Sequence, residues 1–500
     1  MGYGIALRER FPLVRFLVNA QKTVWYPIAF AILCIISGTH NRFVYLPIIF
    51  VLCSFVIFSA LFADDNKVFI VPLLMIYFSL GRDYTSAIPG TGSDLLTSSF
   101  DPSAFTHIIV MGAITVVAFV ARLVADGSFA AATKQRRIGA LSILVLDAAL
   151  MLNGIFNPDY TPMNLLYGFI IAAAFTLFYF AVSGMLRDSR DFIPYACKTA
   201  VAAAYVALGQ FAVILLQLWQ RDALFKYGAN NVIIGLNRDR FVLSWGLSTM
   251  IGAVFVLGIP AALYLARNHK FCVFSYGSAL LFLVGTVVIN TRSAMLVGGV
   301  AMLVGAAICC LKNKNNKKNA VICRIMSIFL VLGIAFAAYK LISSEETLQK
   351  LLKSLRLVDY SESTRLVRWE MGWNDFLRLP VFGAGFDTGS NINNNVFSSM
   401  YHCIIIEFLG AMGVFGTIAF VFHCLCLGKI CFVKGSFNKF LLMLLPLVIL
   451  AMSLVDNFFF YPFFQIFYCV FMVLAENYDG QRKPQEIAPV TDSPSAADAY

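Results

Sequence analysis

The chain has 500 residues, of which 60% are hydrophobic and only 13% charged, with a mean hydropathy of +0.79. That balance excludes a soluble globular domain. The net charge of +11 belongs to basic connecting loops and not to any recognisable nucleic-acid module, so no nucleic-acid partner is expected.

Apolar runs recur near 24–39, 43–62, 68–81, 104–124, 138–156, 163–184, 199–219, 247–266, 271–290, 294–311, 320–342, 401–428, 440–456 and 459–475. In hydrocarbon only a helix satisfies every backbone polar group within its own segment, and about 20 apolar residues suffice to cross. The pattern predicts an all-α, polytopic membrane protein with about 14 transmembrane helices. Residues 1–23 read as a cytoplasmic amino-terminus and 24–342 as helices one to eleven; 343–400 form an extracytoplasmic loop, and 401–475 helices twelve to fourteen. The segment 476–500, polar and rich in Pro, Ala, Ser and Asp, reads as a disordered cytoplasmic tail. The basic start leads into a full-length span without a small-residue cleavage site, so the first helix is expected to serve as the anchor.

Short loops rich in Lys and Arg stay in the cytoplasm. Arg8, Arg10, Arg15 and Lys22, then Lys134, Arg136 and Arg137, then Arg187 and Arg190, then Lys312, Lys314, Lys317 and Lys318, then Lys429, Lys434 and Lys439 all fall on one side of this alternation. On the other side arginine outnumbers lysine. A planar guanidinium binds phosphate bidentately, so that bias points to anion recognition on the outer face.

Four outer segments follow in chain order. The first, 82–103, has Asp83, Asp94 and Asp101 too far apart in sequence to make a metal motif. The second, 220–246, contains Gly235-Leu-Asn-Arg238-Asp-Arg240-Phe, either the cover of a polar ligand or a solvated loop. The third is the short turn Asn290-Thr291-Arg292-Ser293, whose arginine either snorkels to the surface or points into a polar cavity.

The fourth lies inside 343–400. Ser363-Thr364-Arg365-Leu-Val-Arg368-Trp369-Glu-Met-Gly372-Trp373 predicts an amphipathic interfacial helix, with Arg365 and Arg368 on one face and the tryptophans at headgroup level. A turn, Leu379-Pro380-Val-Phe-Gly383-Ala-Gly385-Phe386, and an Asn-rich stretch then lead to Tyr401-His402.

Taken together, the Thr291-Arg292-Ser293 turn, the Arg365 to Trp373 helix, the Pro380-x-x-Gly383-x-Gly385-Phe386 turn, and His402 placed 11 residues before Gly413-x-x-Gly416 resemble the O-antigen ligase and O-antigen polymerase family. The likeness covers about 289–420 directly, and the amino-terminal half agrees in hydropathy only. The family pattern has Asn after the histidine and an acid two residues before the Gly-x-x-Gly, whereas this chain has Cys403 and Ala411; Glu407 is the candidate for the missing acid.

The resemblance implies a glycosyltransferase C-like membrane enzyme of the cell inner membrane that needs neither metal nor cofactor. Its site is on the extracytoplasmic face, its donor a polyprenyl-diphosphate-linked glycan. Arg292, Arg365 and Arg368, with Arg240 and Arg238 in support, are the expected groups for the leaving diphosphate, because fixed positive charge gains strength as the leaving group gains negative charge. A histidine is suited to take or orient the proton of an attacking sugar hydroxyl, and His402 is the expected catalytic residue with Arg292. Partners implied are the donor, a glycan acceptor, the lipid bilayer, and a flippase and chain-length regulator.

A polymerase, which extends a second lipid-linked repeat unit, is favoured over a ligase, which moves a finished glycan to a lipid core, because the helix count is high. A flippase or transporter of lipid-linked glycans is the rival from another class. It predicts related halves and charges near the bilayer midplane, and here mid-span polar residues are few, Asp147 and Gln210 among them.

Overall fold

The predicted apolar runs fold into helices in the computed structural model, which describes residues 10–39, 42–79, 102–134, 137–187, 191–220, 242–243, 245–313, 316–343, 364–386, 401–433 and 435–478. In chain order these helices are α1 Pro12–Gln21, α2 Trp25–Thr39, α3 Arg42–Phe62, α4 Ile70–Met75, α5 Pro102–Ala125, α6 Ser128–Lys134, α7 Ile138–Met151, α8 Pro162–Arg187 and α9 Phe192–Gln220. A hairpin of two short strands, β1 Val242–Leu243 and β2 Gly246–Leu247, pairs Val242 with Leu247 and Leu243 with Gly246. There follow α10 Ser248–Asn268, α11 Cys272–Ile289, α12 Arg292–Cys310, α13 Lys317–Ile342, α14 Thr364–Arg378, α15 Ile404–Phe432, α16 Phe437–Ser453 and α17 Pro462–Glu476.

Seven of these helices are long and apolar enough to cross a membrane, and eight if the bent pair α1 and α2 is one span. The protein is therefore a multi-pass helical membrane protein. Six other apolar stretches are helices of 10 to 17 residues by the same measure, so among the described residues the count of about 14 full spans is not confirmed. The run expected as a span at 68–81 is a short α-helix between two 3-10 turns, 66–69 and 76–79. Side chains from its neighbours take up the carbonyls that this break leaves over: Gln210 donates to Phe78 at 2.7 Å and Cys34 to Met75 at 3.4 Å.

At the centre stands α10, buried along nearly its whole length because its apolar residues point in every direction. It packs against α9, α11, α12 and α16. By contrast α13 has its buried residues in its first half, where Tyr276 of α11 meets Ser327 at 2.8 Å, while residues 331–336 are exposed.

Contacts between helix ends define two poles. At one, buried Arg267 at the end of α10 donates to the Ile308 and Leu311 carbonyls closing α12 and to Asn438 opening α16, and Asn438 also meets Tyr478 beyond α17. Glu476 at the end of α17 accepts from the Gly139 N–H opening α7 and from the Tyr179 hydroxyl of α8. The starts of α10, α12 and α17 and the ends of α7 and α16 accordingly lie at the opposite pole. That pole carries the candidate site.

Candidate active site

Two polypeptide segments far apart in sequence meet at this pole. Residues 380–386, following α14, lay their backbone across α15 where Gly413 breaks it. Gly413 has φ +65° and ψ −157°, a conformation essentially closed to residues with a Cβ. The sequence predicts a continuous span here, and the break is a departure from it. It strands four backbone groups, and the 380–386 segment satisfies them: Ala384 and Gly385 N–H donate to the Gly410 and Ala411 carbonyls at 2.8 and 2.9 Å, while Val414 and Phe415 N–H donate to Pro380 and Val381 at 2.8 and 3.1 Å. Irregular backbone within a membrane protein is tolerable when other protein groups complete its hydrogen bonds.

The far side of the same turn is held by the α7–α8 connection. Gly154 N–H donates to Phe382 at 2.8 Å, Asn157 to the Ala384 carbonyl at 2.7 Å, Asn164 to the Phe386 carbonyl, and Phe386 N–H donates to Asn153 at 2.9 Å. A Cβ on Gly154 would stand 2.6 Å from the Gly385 Cα, so the two backbones cross in contact.

This clasp anchors α14. Arg365, Arg368, Gly372 and Asp375, at spacings of three, four and three residues, form one helical stripe, and these residues are more enclosed than Val367, Glu370, Trp373 and Leu377 on the other side. The stripe is docked on α15, so the two arginines share a face as expected, and the helix lies against the bundle.

His402 stands just before α15, with left-handed backbone at φ +55°. Its Nδ1 is 3.0 Å from Oδ1 of Asp456, in the turn that joins α16 to α17. The same oxygen accepts the Asn457 N–H at 2.9 Å. Burial opposes the charged form of Asp456, yet the hydrogen bond and charge of His402, the Asn457 N–H and the charge of Arg365 outweigh it, and the carboxyl is held below its ordinary range. An ionised carboxylate only accepts, so the His402 Nδ1 carries the hydrogen of this bond, and in the neutral ring Nε2 is then the nitrogen with the lone pair.

Arg368 lies near Tyr461 on the other flank of that turn: burial pushes the Tyr461 phenol up, the charges of Asp456 and Glu407 add to this, and that of Arg368 opposes it. Glu407 is buried beneath, accepting the Tyr401 N–H at 2.9 Å and the Asn457 side-chain amide at 3.1 Å. It braces the two segments that carry His402 and Asp456. Arg292 opens α12 at the same pole, half-buried, after Thr291 has bonded the Ser248 carbonyl at 3.1 Å.

Of the expected site residues, the structure thus brings His402, Arg365 and Arg368 around one turn, with Glu407 below and Arg292 at the same pole. Arg238 and Arg240 lie outside the described residues, as do most of the 82–103 loop and the tail from 479. Among the described residues no three His, Cys, Asp or Glu side chains gather in a way that would hold a metal ion. Asp456 is the group the sequence reading missed. Its signal was an acid and an amide, Asp456-Asn457, between two apolar runs on the outer side.

The model of the O-antigen ligase family matches residues 277–421. The chain carries an O-antigen ligase domain. Over that segment the chain is similar to the O-antigen ligase and polymerase type of protein, a group of glycosyltransferase-like enzymes. No curated protein matches the chain. The matched segment holds Arg292, Arg365, Arg368, His402 and Gly413 but ends before Asp456. The carboxylate that orients His402 is therefore supplied from beyond it.

Proposed function

We propose that this O-antigen ligase-type protein transfers a glycan from a polyprenyl-diphosphate donor to the hydroxyl of an acceptor sugar at the extracytoplasmic face of the inner membrane. The observation that carries the reading is the His402–Asp456 pair at 3.0 Å with Arg365 and Arg368 beside it. The membrane face is supported by Arg267, Lys429 and Lys439 gathering toward the other pole, in keeping with basic cytoplasmic loops.

In this reaction the acceptor oxygen attacks the anomeric carbon, the bond from that carbon to the diphosphate oxygen breaks, and its electron pair leaves with the polyprenyl diphosphate. The hydroxyl proton goes to His402 Nε2, and Asp456, fixed on Nδ1–H, stabilises the imidazolium that forms. Arg365, Arg368 and Arg292 meet the negative charge growing on the leaving diphosphate. Arg238 and Arg240 are assigned to the same anion from their sequence alone. In this reading guanidinium groups supply the positive charge.

The acceptor is taken to be a second lipid-linked repeat unit, as in a polymerase, with transfer to a lipid core, as in a ligase, the alternative that the same chemistry serves. A flippase and a chain-length regulator are the partners such a reaction needs on either side.

Replacing His402 or Arg292 by Ala, with the protein still present in membranes, is expected to abolish long-chain polysaccharide. Normal chain length in both variants overturns the enzymatic reading. Deletion of the protein separates the acceptors: single repeats on the lipid core follow from loss of a polymerase, and full-length unattached chains from loss of a ligase.

A further inference from the structure

His402 has φ +55°, a left-handed backbone that is uncommon for residues with a Cβ. Its neighbour is firmly held. Tyr401 is buried, and it is tied at both ends: its N–H donates to Glu407 of α15 at 2.9 Å, and its hydroxyl donates to Asp375 of α14 at 2.6 Å. Its ring fills the crossing of the two helices, for a Cβ on Gly372 would stand 2.9 Å from the Tyr401 Cγ and one on Gly410 2.7 Å from Cε2.

Burial pushes the phenol up, and the charge of Asp375 and the hydrogen bond to it add to the effect, so the hydroxyl keeps its proton and remains a donor. Asp375 is itself steadied by Arg378 at 3.6 Å on the exposed side of α14. It lies on the same stripe as Arg365 and Arg368. One side chain thus joins the helix assigned to the diphosphate with the backbone that sets the direction of His402.

We propose that Tyr401 is a positioning residue that couples the docking of α14, through Asp375, to the orientation of His402 toward Asp456. With α14 docked, Tyr401 is fixed at both ends and His402 is held on Asp456. With that bond absent, the histidine loses the restraint that maintains its unfavourable backbone. The base is then fully formed only when the arginine helix is in place, so donor engagement and acceptor activation occur in one state of the protein. This inference rests on the glycosyl-transfer reading above.

The test is steady-state transfer from a lipid-linked repeat unit by the full chain in lipid nanodiscs. Tyr401→Phe removes one hydroxyl and leaves the ring and the Glu407 bond. It is expected to lower kcat roughly 10- to 100-fold with donor KM changed by less than about threefold, because misdirection of a catalytic group costs rate and not ground-state binding. Asp375→Ala should match it. Asp375→Asn, whose amide oxygen still accepts, should restore the rate to within about threefold of the parent, and the Tyr401→Phe/Asp375→Ala double variant should be no slower than either single one. A purely structural role predicts instead less folded protein at unchanged kcat, or losses that add in the double variant. Parent kcat in Tyr401→Phe, with His402→Ala inactive, overturns the coupling and leaves the His402 reading standing. Full activity in His402→Ala overturns both.

Discussion

The carboxylate of Asp456 does two separable things, and Asp456→Asn separates them. Its Oδ1 accepts from His402 Nδ1 at 3.0 Å and from the Asn457 N–H at 2.9 Å, and an amide oxygen in that place can accept both. The substitution therefore preserves the geometry and removes the charge. Two unit charges at that distance interact by about 5 kcal/mol at an effective dielectric constant of about 20. The side chains are 30% and 16% exposed, so solvent screens part of this. About 1–3 kcal/mol remains, between an exposed ion pair and a well-enclosed hydrogen bond to a charged group. Because the attraction is largest when the proton has moved onto the imidazole, it is lost from the transition state and not from the ground state. That corresponds to a fall in kcat of roughly 5- to 150-fold with donor KM little changed. The assay is transfer by the purified full chain in proteoliposomes, with product length read on a gel and protein amount matched. A kcat for Asp456→Asn within about twofold of the parent, with His402→Ala inactive, refutes the assigned role of the carboxylate.

Gly413→Ala tests the clasp independently of catalysis. Its Cβ would stand 2.5 Å from the Pro380 oxygen and 2.6 Å from the Val381 carbonyl carbon, both backbone. Strain of about 1–3 kcal/mol and the loss of two hydrogen bonds of about 1 kcal/mol each give about 3–5 kcal/mol, which thermal unfolding in detergent should report as a clear drop in Tm. An unchanged Tm refutes the account of the break. Asp456 also predicts a pH dependence: its folded-state pKa is depressed, so its contribution to stability is present above the unfolded carboxylate value of about 3.9 and is lost as pH falls through the lower folded value. Thermal melts from about pH 7 to about pH 3 should show a smaller acid loss for Asp456→Asn than for the parent, and equal losses would contradict the assignment.

The membrane class, the helices and most of their ends were legible in sequence because each depends on local hydropathy. A run of apolar residues in hydrocarbon has to close its hydrogen bonds on itself, whatever else the chain does. The face shared by Arg365 and Arg368 was legible for a similar reason, since helical spacing alone sets it. Two things were not. The break at Gly413 is invisible to hydropathy, which scores Gly413 and its neighbours as one apolar run; it exists because 380–386 arrives to satisfy the freed backbone groups. The apolar run at 68–81 failed as a span for the same kind of reason, since donors from α2 and α9 make its irregular turns affordable.

By itself, then, the sequence determined that this is a helical membrane protein, that Arg365 and Arg368 share a helix face, and that His402 sits where α15 begins. Only the tertiary structure decided what His402 faces. Asp456 is 54 residues away, beyond the segment that carries the family likeness, and it reaches the histidine because α15 and α16 run in opposite directions and return the chain to the same pole. A hydrogen bond between side chains so distant in sequence depends on the packing of whole helices, which no local pattern contains.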